Sequence, residues 1–341
     1  MNRILVVLPN WFGETLFVTP FLRSLRRQRP GAYIAALGWP RCHDVLQHNP
    51  HVDALLPLDE HEAHRGLRGL LRLARELRAQ RFDAAFILRK SLTRSLVLAM
   101  AGIPVRVGFA NAKSGWLLTH RVPASRLPQH KAISYLPLLG ALGLSAMATP
   151  YDWTVTEEER HEAQARLNEL MADWSGPLVV LHPGANWPHK RWMPQRFGQL
   201  GDRLIETHHA QIVITGSPDD VPLAREVAGQ MRHPAVVLAG ATTLRQMAAC
   251  LEQARLVVSN DTGVLHIAAA LRRPVVALYG PTSPILTGPL GDPQRTIVLH
   301  HAQCCPRIPC YEPDRPPHPG MRTISVDEVY AAVCKLLEQR A

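Results

Sequence analysis

Asn260, Asp261, Thr262 and Gly263 interrupt two apolar runs in "RLVVSNDTGVLHIAAAL", which extends from Arg255 to Leu271. An apolar strand that stops on a polar turn and passes at once into a helix puts the helix N-terminus at the strand end. Its first N–H groups have no intrahelical partner there, and the dipole is positive, so an anion such as phosphate fits. Gly263 allows a ligand to approach the backbone closely. Plain helix capping would need only one of the polar residues. It would not account for the whole set, nor for His266 one turn further on.

A second stretch, "HPGANWPHKRW", follows another apolar run. Lys190 and Arg191 come a few residues after the loop Pro183–Gly184. A lysine ammonium is a point charge suited to a leaving diphosphate, and Asn186 lies in the same loop. The alternative is surface charge beside a packing Trp192. "GSPDD" (Gly216–Asp220) could place a carboxylate on a ribose, or simply cap a helix that begins at Val221. The first loop, "PNWFGETLFVTP", carries Asn10, Gly13 and Glu14. An acidic residue in a first helical turn often only complements the dipole. It is also where a general base would face a substrate.

These loops need a scaffold. Short, β-rich strands that are apolar throughout alternate with helical patterns along the whole chain, as parallel strands covered on both faces do. Strands are expected at Ile4–Leu8, Ala32–Leu37, Asp53–Pro57, Ala84–Leu88 and Val105–Gly108. Helices are expected at Glu14–Gln28, with Pro20 early in it or kinking it, at Glu62–Gln80 and at Val264–Leu271. After about residue 155 the pattern restarts, with strand-to-loop units at "GPLVVLHPG", "QIVITGSPDD", "AVVLAGATT", "RLVVSNDTG" and "PVVALYGPTSP". The expected architecture is α/β, with two Rossmann-like doubly wound domains facing each other across a cleft. They would occupy residues 1–155 and 156–341, with a linker over Ala146–Glu159. Beyond Pro281 the text reads as loop, and Cys304–Gly320, with six prolines, reads as an irregular surface segment. Ser325 and Glu328 form a capping-box pattern for a last helix ending near Glu338.

Bulk properties narrow the function. The chain has 341 residues, 46% hydrophobic and 19% charged, enough for two well-buried cores. No apolar run approaches the roughly 18 residues that span a bilayer, and the N-terminus reads as a strand rather than a signal peptide. Six scattered cysteines do not make a disulfide scaffold and fit a cytoplasmic protein. The net charge of +10 is confined to Glu60–Lys131, which holds fourteen Lys/Arg and four Asp/Glu. Such a field suits an anionic partner: a phosphorylated glycolipid or a membrane surface. No nucleic-acid-binding motif accompanies it.

Together, "NWFGE…TPFLRSLR", "HPGANWPHKRWMPQRF" and "SNDTGVLHIAAALRRPVVALYGPTSP" resemble glycosyltransferase family 9, the bacterial heptosyltransferases, over most of the chain. The Asn-Trp-hydrophobic-Gly-acid loop is most similar to the type II branch. The resemblance implies a GT-B fold, with the acceptor on the N-terminal domain and the nucleotide sugar on the C-terminal one. It implies inverting, metal-independent transfer of heptose from ADP-heptose to the lipopolysaccharide inner core. No cofactor is implied. The partners implied are an ADP-sugar donor and a lipid-linked phosphorylated oligosaccharide acceptor, with peripheral contact to the anionic inner face of the cytoplasmic membrane.

By position, the family's catalytic carboxylate falls on Glu14 and its diphosphate lysine on Lys190. The sugar- and phosphate-binding segment falls on Asp261, Thr262, Gly263 and His266. Asn10, Gly13 and Asn186 lie in matching substrate loops, and the nucleoside-binding acid falls on Asp219 or Asp220. There are two departures: Glu14 stands where Asp is usual, and "CCPRIPC" keeps only part of a spaced cysteine set, with Gly320 in place of a last cysteine. Three cysteines among six prolines are a poor tetrahedral site, so no metal is expected. Competing readings are another nucleotide-sugar transferase on the same scaffold, or a non-catalytic nucleotide-sugar-binding protein in which Glu14 is structural.

Overall fold

The computed structural model describes all residues except 126, 148, 172–174, 306, 311–316 and 340–341. The expected linker and the proline-rich segment therefore lie partly outside the described residues. The chain divides into two compact units, Met1–Trp153 and Thr154–Ala341.

In the first unit the strands are β1 (Arg3–Val7), β2 (Tyr33–Gly38), β3 (Ala54–Pro57), β4 (Ala84–Ile87), β5 (Val105–Phe109) and β6 (His120–Val122). The helices are α1 (Phe12–Leu16), α2 (Thr19–Gln28), α3 (Pro40–Leu46), α4 (Gly66–Ala79), α5 (Leu92–Met100), α6 (Lys131–Tyr135) and α7 (Pro137–Gly140). All strand pairs are parallel, in the order β3-β2-β1-β4-β5-β6. From Ile4 to Val7 β1 is completely buried, because its side chains meet helices on both faces of the sheet.

The second unit repeats the plan. Its strands are β7 (Leu178–His182), β8 (Gln211–Ile214), β9 (Val236–Val237), β10 (Leu256–Asn260), β11 (Val275–Tyr279) and β12 (Thr296–His300). Its helices are α8 (Glu157–Leu170), α9 (Pro194–His208), α10 (Val221–Gly229), α11 (Leu244–Gln253), α12 (Gly263–Ala270), α13 (Pro284–Thr287), α14 (Pro319–Thr323) and α15 (Val326–Glu338). The order is β12-β11-β10-β7-β8-β9, again all parallel. Trp192, Phe197, Leu200 and Leu204 pack on one face of this sheet with Val329, Val333 and Leu336 of α15.

Both sheets have the doubly wound order, in which the winding direction reverses beside the first strand of the unit. The switch points lie between β1 and β4 and between β7 and β10. The loops at those strand ends are the ones with candidate chemistry.

Several sequence expectations need correction. The helix expected at Glu14–Gln28 is two helices. The chain breaks after Leu16 and restarts at Thr19, so Pro20 sits in the first turn of α2, where its missing N–H costs nothing. The helix expected from Glu62 starts at Gly66. Asp59 instead accepts the amides of His61, Glu62 and Ala63 and holds those residues in a turn. The region after Pro281 is not all loop, since β12 forms the sheet edge against β11. Nor does the cysteine segment lie wholly at the surface: Cys310 and His318 are buried. The last helix does begin at the Ser325–Glu328 capping box.

Candidate functional site

In the first unit, β1 leads into a loop that carries Pro9 and Asn10, and Glu14 lies in the first turn of α1 with Gly13 half-buried before it. Glu14 Oε1 accepts a hydrogen bond from Lys131 Nζ at 2.8 Å. Lys131 opens α6, which is capped by His130 Nδ1 accepting the Ala132 amide. Burial pushes the nearby Tyr135 phenol up, and the Glu14 carboxylate adds to this.

The Asn10 side chain accepts from Arg94 Nη2, and Arg94 Nη1 also donates to Leu8 O at 2.8 Å. Arg94 is buried, with Glu60 Oε2 at 3.3 Å as its charge partner. Arg41 donates to Asn10 O, and its guanidinium lies 4.4 Å from the ring centres of both Trp11 and Trp39. Sequence reading missed Arg41, Glu60, Arg94 and Lys131. They come from separate stretches of chain, and only Arg94 and Lys131 had a sequence signal, the basic excess over Glu60–Lys131.

In the second unit, β7 ends on His182, opposite Ser259 of β10. The loop after β7 leads to a 3₁₀ turn, Pro188–Lys190, and Lys190 Nζ reaches Asp261 Oδ2 at 2.8 Å. His266 Nε2 stands 3.8 Å from Asp261 Oδ1. Burial pushes the Asp261 carboxyl up, but Lys190, His266 and the Thr282 hydroxyl more than offset this and hold it below the usual carboxylate range. Thr262 is the N-cap of α12, its side chain accepting the Leu265 amide, and Gly263 is the first helical residue.

Asn260 braces the two loops. Completely buried, it accepts the Trp192 amide and donates to Pro183 O at 2.8 Å. Gly184 is needed for space, since a Cβ there would stand 2.6 Å from Asp220 Oδ2. Of the two acids in "GSPDD", Asp220 is occupied as a cap. It accepts the Ser217 amide and hydroxyl and pairs with Arg191 at 3.4 Å. Asp219 is exposed, as is Asn186. The fold therefore brings Lys190, Asp261, Thr262, Gly263 and His266 together, and it joins Glu14 to Lys131 and Asn10 to Arg94. Asn186 and Asp219 stand at the rim of their loops.

Comparison with known proteins decides the family. Residues 70–313 match glycosyltransferase family 9 (heptosyltransferase). The chain belongs to glycosyltransferase family 9. Lipopolysaccharide heptosyltransferase 2 of Escherichia coli K12 is 30% identical over 307 residues, covering 87% of this chain and 88% of the relative. Among solved structures, a family 9 glycosyltransferase from Veillonella parvula superposes with a TM-score of 0.87 at 26% identity, covering 98% of this chain and 97% of the other. E. coli ADP-heptose lipopolysaccharide heptosyltransferase II superposes with a TM-score of 0.83 at 27% identity, covering 98% of each chain. This family 9 enzyme thus has the GT-B fold, each unit contributing one doubly wound sheet.

Proposed function

We propose that this chain transfers heptose from ADP-heptose to the lipopolysaccharide inner core by an inverting displacement that uses no metal at the reacting centre. The observation that carries the reading is the Lys190–Asp261 pair at the β7/β10 switch point, beside the N-terminus of α12. A diphosphate set there meets one ammonium and the positive N-terminal end of α12.

In the reaction, an acceptor hydroxyl oxygen forms a bond to the anomeric carbon of the donor as the bond from that carbon to the diphosphate oxygen breaks. The hydroxyl proton passes to the Glu14 carboxylate, and ADP leaves with the bonding electron pair. Lys190 and the α12 amides stabilise the charge that builds on the leaving diphosphate, the kind of term that dominates many rate enhancements. Asp261 positions Lys190 and can accept from a sugar hydroxyl, while Thr262 and His266 offer hydrogen-bonding groups to the sugar phosphate. Asp219 and Asn186 are available to the nucleoside.

Lys131 is 45% exposed and holds Glu14, so a phosphorylated acceptor can draw the ammonium away and leave the carboxylate to its hydroxyl. Asn10, positioned by Arg94, lies in the same loop as Glu14 and Gly13.

The acceptor is lipid-linked, and the basic field lies on the unit proposed to receive it. On α4 the exposed Leu67 and Leu71 alternate with Arg68, Arg72 and Arg75. An apolar pair rimmed by arginines suits peripheral contact with the anionic inner face of the cytoplasmic membrane. Among the described residues no helix is long and apolar enough to cross a membrane.

The test is transfer by purified protein to a heptose-deficient core, comparing ADP-heptose, UDP-sugars and GDP-sugars, with and without EDTA. Transfer from ADP-heptose alone, unaffected by EDTA, supports the reading. Preference for another donor overturns the heptose assignment and leaves the family standing.

A further inference from the structure

From sequence no metal is expected in the cysteine-containing segment, because three cysteines among six prolines are a poor tetrahedral site. Folding brings a histidine to two of them. The Sγ atoms of Cys305 and Cys310 and a ring nitrogen of His318 all lie within 4.8 Å of one another. Cys310 and His318 are buried, Cys305 is half-buried, and no disulfide joins the two thiols. Two thiols and an imidazole form a soft donor set that suits a tetrahedral ion of borderline softness.

We propose that Cys305, Cys310 and His318 bind a zinc ion that staples the segment after β12 onto the loops of the second unit. Zinc bonded to sulfur and nitrogen holds its ligand atoms roughly 3.5–3.8 Å apart, so the three atoms need to close by at most about 1.3 Å. Water takes the fourth position. Both thiols give up their protons on loading. His318 Nδ1 accepts the Gly320 amide at 3.1 Å, and this cap is given up on loading: either Nδ1 itself binds the ion, or Nε2 binds it and the proton moves to Nδ1.

The backbone shows what the staple would hold. The Cys310 amide donates to Pro281 O at 2.7 Å, in the loop after β11 that also carries Thr282. The His318 amide donates to His189 O at 3.2 Å, next to Lys190. A Cβ on Gly280 would meet Met321 Cγ at 2.5 Å, so α14 lies directly on the same loop. The ion would brace the loops that carry Thr282 and Lys190 and would not itself meet the substrate. Transfer without a metal at the reacting centre is compatible with it.

The test uses the tag-free full chain, reduced, incubated with zinc and desalted. Metal analysis should find about one zinc per chain. C305S/C310S and H318A should each weaken zinc binding by more than about tenfold, a loss that even outer-sphere partners can cause. C304S is the control: that thiol bonds Thr323 Oγ1 and lies outside the group, so the variant should keep its zinc. If the variants do not fold, wild-type protein loaded with cobalt decides, through a thiolate charge-transfer band and tetrahedral visible bands. The proposal is overturned if wild type retains no more zinc than folded C305S/C310S, if C304S loses zinc equally, or if cobalt shows no thiolate band.

Discussion

Lys190 Nζ and Asp261 Oδ2 stand 2.8 Å apart, although their residues come from different strand-end loops 71 positions apart in the chain. The carboxylate is almost fully enclosed and the ammonium is partly open, so one end of the pair is fixed and the other can turn to a ligand. Replacing Lys190 by Met removes the ammonium and leaves Asp261 buried without it. The expected result is a fall in kcat of roughly 10²–10³, the range for losing one transition-state donor, together with a lower Tm. Steady-state transfer assays and thermal unfolding check this. A K190M enzyme with wild-type kcat would remove Lys190 from the leaving-group role.

Glu14→Gln keeps the size of the side chain and abolishes proton acceptance. Turnover should drop by about 10²–10⁴ while ADP affinity stays unchanged. Rates and ADP calorimetry on the same sample separate the two effects. A large loss of ADP affinity would instead make Glu14 part of the donor pocket.

Asn260 satisfies two backbone groups from inside the core, the Trp192 amide and Pro183 O. Asn260→Leu leaves both unpaired, at about 1–3 kcal/mol each. Chemical denaturation should show a loss of that order, and ADP binding should weaken because the Lys190 turn is no longer held to β10. A variant as stable as wild type would refute the brace.

Burial drops the His182 pKa from 6.5 to about 4. The unfolded chain therefore takes up a proton first as pH falls. The stability linked to neutral His182 is complete above about pH 6.5 and is lost as pH falls toward 4, with a magnitude on the order of 3 kcal/mol. His51, also lowered to about 4 by burial and by Arg23, Arg26 and Arg27, adds to the same slope. Urea unfolding over this range should give a shallower pH dependence for H182N than for wild type. Parallel profiles would contradict the assignment.

On α4, R68E/R72E should weaken binding to anionic vesicles by at least tenfold, at about 1 kcal/mol per basic residue near the surface. Binding should also fall with salt, and neutral vesicles should not distinguish the two proteins. Cosedimentation reads both. Equal binding of the double variant would place the membrane contact elsewhere.

Much of this enzyme was legible before folding. Apolar strands ending in Pro, Gly or Asp turns are a local pattern, because burial on both sheet faces leaves only the strand ends polar. That pattern marked the doubly wound units, the Lys190 and Asp261 loops and Glu14. Partnership was not legible. Nothing in the text near Glu14 points to Lys131 or near Asn10 to Arg94, since each pair is set by the order in which strands assemble. Local chemistry left two roles open where they share one residue type: an acid in "GSPDD" reads as a ribose ligand or a cap, and Asp220 folds as a cap. The sequence by itself determined most of the strands, the turn chemistry and the family, though not the edge strands β6 and β12. Tertiary structure alone decided which charges meet, because parallel sheets bring strand ends together across crossovers that local patterns do not encode.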